Sequence, residues 1–434
     1  MTNTPHSSGS TTDLVNDPPT IAIVGAGIGG LVLALELHRA GFASHVYEAA
    51  RTIQPLGVGI NILPHAAAVL GRLGLEAALT EVAVTTKEAV FYNRFGQHIH
   101  SEPAGRQAGY EDPQYSIHRG DLQTVLLDAV AERLGPDAVV TDHKCVSVEQ
   151  DETGATIHFQ RGDQSGVDVR ADIVIACDGV HSAIRKQFYP DEGAPRYSGV
   201  TMWRGVTVAK PYLTGGSMAR IGWLEGGKMV IYPIRDNVDG NGNQLINWVA
   251  EIETPQRAGR DWTREGQLED FIGAFDDWTF EWLDVPSLIR GAESVLEYPM
   301  ADQEPLPRWT FGRVTLLGDA AHPMVPRGSN GAGQAILDAS RLAELVSASN
   351  DPLEALSAYE ADRLPRTSAV VLANRVAPPD TIVREVWKRT GDKPFDRIED
   401  VISVSEIEAI SRKYQEVAGY TLTELQTASS VDHP

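Results

Sequence analysis

Between residues 20 and 48 the chain reads TIAIVGAGIGGLVLALELHRAGFASHVYE, a pattern that few folds accommodate. Residues 20–24 form a short apolar, β-branched run, as in a parallel strand buried on both faces. Gly25, Gly27 and Gly30 follow in G-x-G-x-x-G spacing. Leu31, Ala34, Leu35 and Leu37 then recur at helical period until Gly41 stops the helix. Residues 44–47 read as a second strand with Glu48 at its end. Gly25 allows a sharp turn from strand to helix, Gly27 keeps the backbone bare where a pyrophosphate would lie, and Gly30 lets helix and strand pack closely. The helix N-terminus would present free N–H groups and a positive dipole end to phosphates. Glu48, eighteen residues past Gly30, stands where a carboxylate accepts hydrogen bonds from a dinucleotide ribose. A carboxylate disfavours a 2′-phosphate there, so the half-site suits the adenosine of FAD or NAD and not that of NADP.

A chain of 434 residues, 42% hydrophobic and 22% charged, is long enough to bury a large core in two domains. Its net charge of −22 argues against nucleic acid and anionic membranes as partners. An anionic substrate would need local arginines to draw it in against that field. Cys145 and Cys177 stand far apart and outside any C-x-x-C, which fits a reducing, cytoplasmic setting and excludes a dithiol redox centre. No apolar run is long enough to span a bilayer. Residues 1–19 are polar, lack an apolar signal core, and read as a disordered leader.

After Glu48, the glycines of PLGVGINILPHAAAVL suggest a loop passing close to something flat and large, with a helix from Pro64. Residues 88–92 look like a strand leaving the first domain, and 101–115 are irregular. Arg119 lies at the start of an amphipathic helix carrying Leu122, Val125, Leu126, Ala129 and Val130, where it would bond a phosphate or pair with a carboxylate. Residues 146–148 and 155–159 alternate like a hairpin turned at Thr153-Gly154. A buried strand over 171–176 runs into Asp178-Gly179, a carboxylate and a bare backbone at a strand end, where open α/β sheets bind ligands.

From 197 to 300 the texture changes to β-branched and aromatic strands, expected to form an inserted, mainly antiparallel sheet. Trp203, Met229, Tyr232 and Trp248 fall in these strands, and one face of them could wall a pocket for a flat apolar ligand. Arg204 and Arg220 are candidate contacts for an anion. The chain then returns to the first domain through a strand at 313–317, GDAAHP, and a loop, PRGSNGAGQ, opening a helix to about Ser347. Asp319 at the strand end and the helix N-terminus at Gly331-Ala332 make a second polyol and anion site. Its dipole would favour negative charge on a reduced ring system. Pro326 and Arg327, just before it, are further candidates for substrate contact. Residues 352–376 are helical and end at Pro378-Pro379, a further helix spans 398 to about 417, and the last ten or so residues look frayed.

The order G-x-G-x-x-G, D-G and G-D-A-A-H-P resembles the single-component (group A) FAD-dependent aromatic hydroxylases, the family of para-hydroxybenzoate and salicylate hydroxylases, over residues 20 to about 375. Within it, GVGINILPHAAAVL, PQYSIHRGDLQ, TMWRGVT and LLGDAAHPM are most similar to the phenazine-modifying monooxygenases of pyocyanin biosynthesis. The resemblance implies a Rossmann-like α/β FAD-binding domain with a parallel sheet over 20–79, 115–195 and 301–376. It also implies an antiparallel substrate domain over 80–114 and 196–300, and a C-terminal helical segment over 377–434. Gly25, Gly27, Gly30 and Glu48 would hold the ADP half of FAD, Arg119 the pyrophosphate region, and Asp319 the ribityl chain. Gly331 and Ala332 would bond the flavin ring, and Asp178-Gly179 would serve both FAD and NADH or NADPH. Arg327 departs from the family, where a small or apolar residue precedes Gly328; it would face the flavin, hold a substrate carboxylate or point into solvent.

The implied activity is hydroxylation of a small aromatic or heteroaromatic molecule by O₂ through a flavin C4a-hydroperoxide, with loss of CO₂ where a carboxylate sits on the attacked carbon. The cofactor would carry the chemistry, so no side chain is assigned as a nucleophile or base, no metal is expected, and the chain would act as a monomer or homodimer. An alternative is an FAD-dependent reductase or dehydrogenase of related fold that inserts no oxygen.

Overall fold

The computed structural model describes residues 19–55, 57–162, 164–255 and 265–431. The expected leader, apart from Pro19, lies outside the described residues. The apolar run forms the Ile21–Val24 strand, buried throughout, and Ile28–Arg39 follows as the helix. Ile21–Val24 pairs in parallel with Ser44–Tyr47 on one side and with Ile173–Ala176 on the other. Val314–Leu316 and Val139–Val140 extend this sheet in parallel, and Thr310–Phe311 closes one edge antiparallel. Helix Ile28–Arg39 packs against helices Arg119–Leu134 and Gly331–Ala348. The hairpin at Thr153-Gly154 is present, and the strand Gln164–Ala171 adds a third member that its polar, alternating sequence had concealed.

A second sheet has seven strands in the order Val295–Asp302, Arg196–Ala209, Gln244–Glu253, Lys228–Arg235, Ser217–Gly222, Glu88–Tyr92, His98–Pro103. All neighbours are antiparallel except Ser217–Gly222 with Glu88–Tyr92. Side chains alternate between its faces. On one face Trp203, Ile221, Met229 and Trp248 are buried with Phe271, Phe275, Trp278 and Ile289 in a core of their own. The other face carries Met202, Arg204, Arg220, Lys228, Tyr232, Asn247 and Glu251, and it meets the first domain.

Residues 57–61 were expected as a loop, but 59–62 form the strand Gly59–Ile62, paired with Tyr115–His118 in a small three-stranded antiparallel sheet. The close neighbour shown at Gly59 is the second sheet. A Cβ on Gly59 would lie 2.7 Å from Asn247 and 2.8 Å from Ile234, so only glycine lets this strand lie against the second sheet. The Gly59 N–H donates to Asn247 Oδ1, and its carbonyl accepts from Arg204 Nη2 (2.7 Å) and the Tyr232 hydroxyl (2.8 Å).

The C-terminal region is helical over Pro352–Val376, Thr381–Thr390, Val404–Ala418 and Leu422–Val431. Two of these correct the sequence reading. The helix expected from 398 begins at Val404, because Ser403 and Glu406 form a reciprocal capping box there. The last residues, expected to be frayed, continue as helix to Val431. Thr381–Thr390, not foreseen, buries Ile382, Val383 and Val386 against Phe91, Ile99 and Ile407.

Candidate active site

Two adjoining cavities lie where the first domain meets the second sheet. The first, of about 510 Å³, is lined by Gly25, Gly27, Tyr47, Glu48, Arg119, Gln123, Asp178 and Gly179 among others. The second, of about 310 Å³, continues from it through Gly27, Arg119, Cys177 and Gly179, and is lined by Gly59 to Asn61, Arg204, Tyr232, Asp319, Met324, Pro326 and Ser329 to Ala332. Sequence elements far apart in the chain, the two glycine-rich helix starts and the three acidic strand ends, thus open onto one elongated groove.

The groove fits FAD on observations independent of the motif. A Cβ on Gly27 would meet nothing within 4 Å, so no protein contact requires glycine there, whereas a Cβ on Gly30 would lie 2.1 Å from the Gly25 carbonyl. Gly27 leaves room for a ligand, and Gly30 packs the helix. Helix Ile28–Arg39 has no acid in its first turn and no side-chain cap, so its N–H groups are left for an anion. Glu48 sits at the groove wall, accepting from the backbone N–H of Ala26 and of Ala50 (2.8 Å each). Asp178 accepts from the Ala183 N–H through Oδ2, but its buried Oδ1 has no partner, and burial raises its pKa. An unpartnered buried acceptor is costly, and a ligand hydroxyl or amide would satisfy it. Asp319 opens onto the ring end of the groove. The enclosing walls raise its pKa, partly offset by His322 and Arg119. The residues in place would therefore hold adenosine at Glu48, pyrophosphate at Gly27 and Arg119, the ribityl chain at Asp319, and the flavin ring against Gly331 and Ala332.

The turn carrying Asp319 is held from behind. Buried His322 bonds Asp338 through Nε2 (2.6 Å), and Asp338 also takes Arg363 Nε (2.7 Å). Arg185 Nη1 donates to the carbonyls of Ala320 and Ala321 (2.9 Å each). His322, Asp338, Arg363 and Arg185 escaped the sequence reading as site supports, because only the fold joins them. Between this turn and the Gly331–Ala348 helix, Gly328 and Ser329 both take left-handed backbone (φ +76° and +61°). For a serine that conformation costs about 1–3 kcal/mol and persists only where the surroundings hold it.

Two further cavities flank the ring position along the same face of the second sheet. One, of about 660 Å³ and largely apolar, is lined by Val58, Val180, His181, Met202, Arg204, Leu296, Tyr298, Pro323 and Pro326. The other, of about 390 Å³, is lined by Leu63, Pro64, Phe91, Tyr110, Met218, Arg220, Gly328, Ser329, Pro379 and Tyr420. Across the sheet they lie at opposite ends, the first at strands Val295–Asp302 and Arg196–Ala209, the second at Ser217–Gly222, Glu88–Tyr92 and His98–Pro103.

Of the candidate substrate residues, Arg204, Tyr232 and Pro326 border the ring cavity and Arg220 borders the second flanking one. Trp203, Met229 and Trp248, expected as a pocket wall, instead fill the second core; Trp203 stacks on Phe271 with centroids 5.0 Å apart. They stand one residue out of phase with the site-facing set. Arg327 is turned away from solvent toward a buried charge cluster, with Nη2 4.0 Å from Glu251 Oε2. The cluster continues through Lys228, which bonds both Glu251 and Asp380 (2.7 Å each), to Arg220, whose Nε is 3.1 Å from Asp380. Asp380 is held ionised below its ordinary pKa: burial opposes this, but Lys228, Arg220 and Arg327 outweigh it. Among the described residues no metal-ligating cluster occurs, and no helix is long and apolar enough to cross a membrane.

Comparison with known proteins agrees with this fold. A family model described as an FAD binding domain matches residues 19–234 and 293–374. Phenazine 1,6-dicarboxylic acid hydroxylase from Lysobacter antibioticus is 45% identical over 375 residues, covering 85% of this chain and 92% of that protein. 6-Hydroxynicotinate 3-monooxygenase from Pseudomonas fluorescens is 32% identical, covering 88% and 94%. Among solved structures, a salicylate hydroxylase substrate complex superposes with a TM-score of 0.71 at 22% identity, covering 94% of this chain and 97% of the other, which supports the fold. On these matches the chain belongs to the group A FAD-dependent aromatic hydroxylase family, as an FAD-binding enzyme close to the phenazine hydroxylase and related monooxygenases.

Proposed function

We propose that the chain uses reduced nicotinamide and O₂ to hydroxylate an aromatic or heteroaromatic carboxylate. The observation that carries this reading is the row of cavities, with a ring-sized space between two others on one sheet face. Bound FAD would supply a hydride acceptor for the nicotinamide and the centre at which O₂ is activated for transfer to the aromatic ring. The cavity at Val180 and His181 adjoins Asp178-Gly179 and suits the nicotinamide. The cavity at Phe91, Met218 and Arg220 then takes the aromatic acid.

The charge cluster supports an acid there. Arg220, Lys228 and Arg327 carry three formal positive charges against two negative on Asp380 and Glu251. The surplus positive charge is buried, where a carboxylate at Arg220 would balance it, and it works locally against the net −22 of the chain. Gly331 and Ala332 open a helix with no acid in its first turn, so its dipole would stabilise negative charge at the ring. The chain's remaining tasks are to orient the ring and exclude water. Several relatives are named for aromatic acids, among them phenazine 1,6-dicarboxylic acid, 3-amino-4-hydroxybenzoate and 6-hydroxynicotinate. A carboxylate on the carbon that receives oxygen would leave as CO₂; elsewhere it would be retained.

The test is oxidation of NADH and of NADPH in air across phenazine and quinoline carboxylates, hydroxybenzoates and polycyclic phenols, with product mass read in parallel. A carboxylate that stimulates oxidation and gains one oxygen, with or without loss of CO₂, is the expected result. Alkene reduction with no ligand gaining oxygen would replace this reading with the reductase one.

A further inference from the structure

The loop that shapes the ring end of the groove is held by a residue outside the matched FAD-binding segments, which end at 374. Tyr414, on helix Val404–Ala418, is buried with its hydroxyl at the loop. That hydroxyl donates to Asn374 Oδ1 (2.6 Å) and accepts from Asn330 Nδ2 (2.9 Å). Asn330 Nδ2 also donates to the Gly328 carbonyl (2.9 Å), and Asn374 Nδ2 reaches the Val325 carbonyl (3.4 Å). Both ends of the 325–330 loop are thereby tied to one phenol. The fit is close: a Cβ on Gly328 would lie 1.7 Å from the Tyr414 oxygen. The two left-handed residues, Gly328 and Ser329, lie inside the tied span.

We infer that Tyr414 is a positioning residue for the flavin ring, holding the 325–330 loop so that Asn330, Gly331 and Ala332 present the ring-binding helix start in one geometry. It touches neither cofactor nor substrate; it acts through Asn330. Without its hydroxyl the strained Ser329 and its neighbour Gly328 lose their outer restraint, and the loop samples positions in which the ring is less well enclosed. FAD then leaves faster. In the enzyme at work, more of the reduced nicotinamide is spent on the side reaction NAD(P)H + O₂ + H⁺ → NAD(P)⁺ + H₂O₂, because water reaches the ring. This second consequence rests on the hydroxylase reading; the first rests only on FAD binding.

The experiment compares Tyr414→Phe with the parent holoenzyme and with Tyr212→Phe, which removes an equally buried hydroxyl bonded to Ser217 and Ile231 in the second sheet. FAD release is followed by the rise in flavin fluorescence on dilution, and peroxide is measured per reduced nicotinamide consumed. Tyr414→Phe is expected to release FAD roughly tenfold faster, as loss of a buried hydrogen-bond partner implies. It should also raise the peroxide share several-fold, while its melting temperature falls no further than that of Tyr212→Phe. Asn374→Leu removes the hydroxyl's far anchor and should accelerate release in the same direction; it decides the matter if Tyr414→Phe does not fold. Release within twofold of the parent in the variants that fold overturns the inference. A parent that hydroxylates nothing overturns the hydroxylase reading, while the release rates still decide the role of Tyr414.

Discussion

At Gly27 an added Cβ meets empty space, and at Gly30 it meets the Gly25 carbonyl. Two glycines of one motif therefore serve different masters, and substitutions separate them. Gly27→Val should purify with little or no flavin while the apoprotein melts near the parent; a fully yellow preparation would remove this helix as the pyrophosphate site. Asp319→Ala should weaken FAD binding by roughly ten- to a hundredfold, the worth of a hydrogen bond to a charged group. It should not lower apoprotein stability. Asp319 is open to the groove, but the surrounding protein walls raise its folded pKa, so any stabilisation from it exists below the unfolded carboxylate value and is lost as pH rises through the folded one. Unchanged flavin affinity would take Asp319 out of the site. His65 has the opposite sign. Both its ring nitrogens are buried without partners, and burial, aided by Arg363, lowers its pKa to about 3. Its stabilisation is complete above about 6.5 and is lost as pH falls toward 3, at most about 5 kcal/mol in all. His65→Leu should flatten the loss of melting temperature between pH 6.5 and 4; an unchanged acid slope would assign that slope to other groups.

Among the elements, the two glycine-rich strand–turn–helix units were legible because their chemistry is local: a strand, a bare turn and an acid within thirty residues. The alternation of the second sheet was legible too, but its phase was not. Period two marks two faces without saying which is covered, and the candidate set took Tyr232 from one face and Trp203, Met229 and Trp248 from the other. The elements that cover them, around Phe271, Phe275 and Trp278, follow in sequence with little regular structure to announce them. Trp248→Phe should therefore lower stability by about 1–3 kcal/mol and leave ligand selectivity unchanged; a shift in selectivity would put that face back in the site. Arg220 lies on the opposite face. Arg220→Lys keeps the charge facing Asp380 but loses the planar fork, so KM for carboxylates should rise roughly tenfold with FAD content unchanged. An unchanged KM would move the acid elsewhere.

For the whole molecule, the parts that escaped the sequence are those joined across long stretches of chain. Tyr414 meets Asn330 across 84 residues, and Arg204 meets Gly59 across 145. The molecule places the groove, the two flanking cavities and a buried surplus of positive charge along one sheet face, inside a chain of net charge −22. The C-terminal segment packs on this region, with Tyr420 against His65 and Tyr414, on helix Val404–Ala418, bonded to Asn330. Such an arrangement suits a reaction in which hydride, oxygen and an aromatic acid meet at one enclosed ring. The most direct test is turnover of the best stimulating aromatic carboxylate under ¹⁸O₂ in ordinary water, with the product read by mass. Incorporation of one ¹⁸O atom per product, with reduced nicotinamide consumed in step, is the expected result; product carrying only ¹⁶O, or nicotinamide consumed with no oxygenated product from any carboxylate, would contradict it.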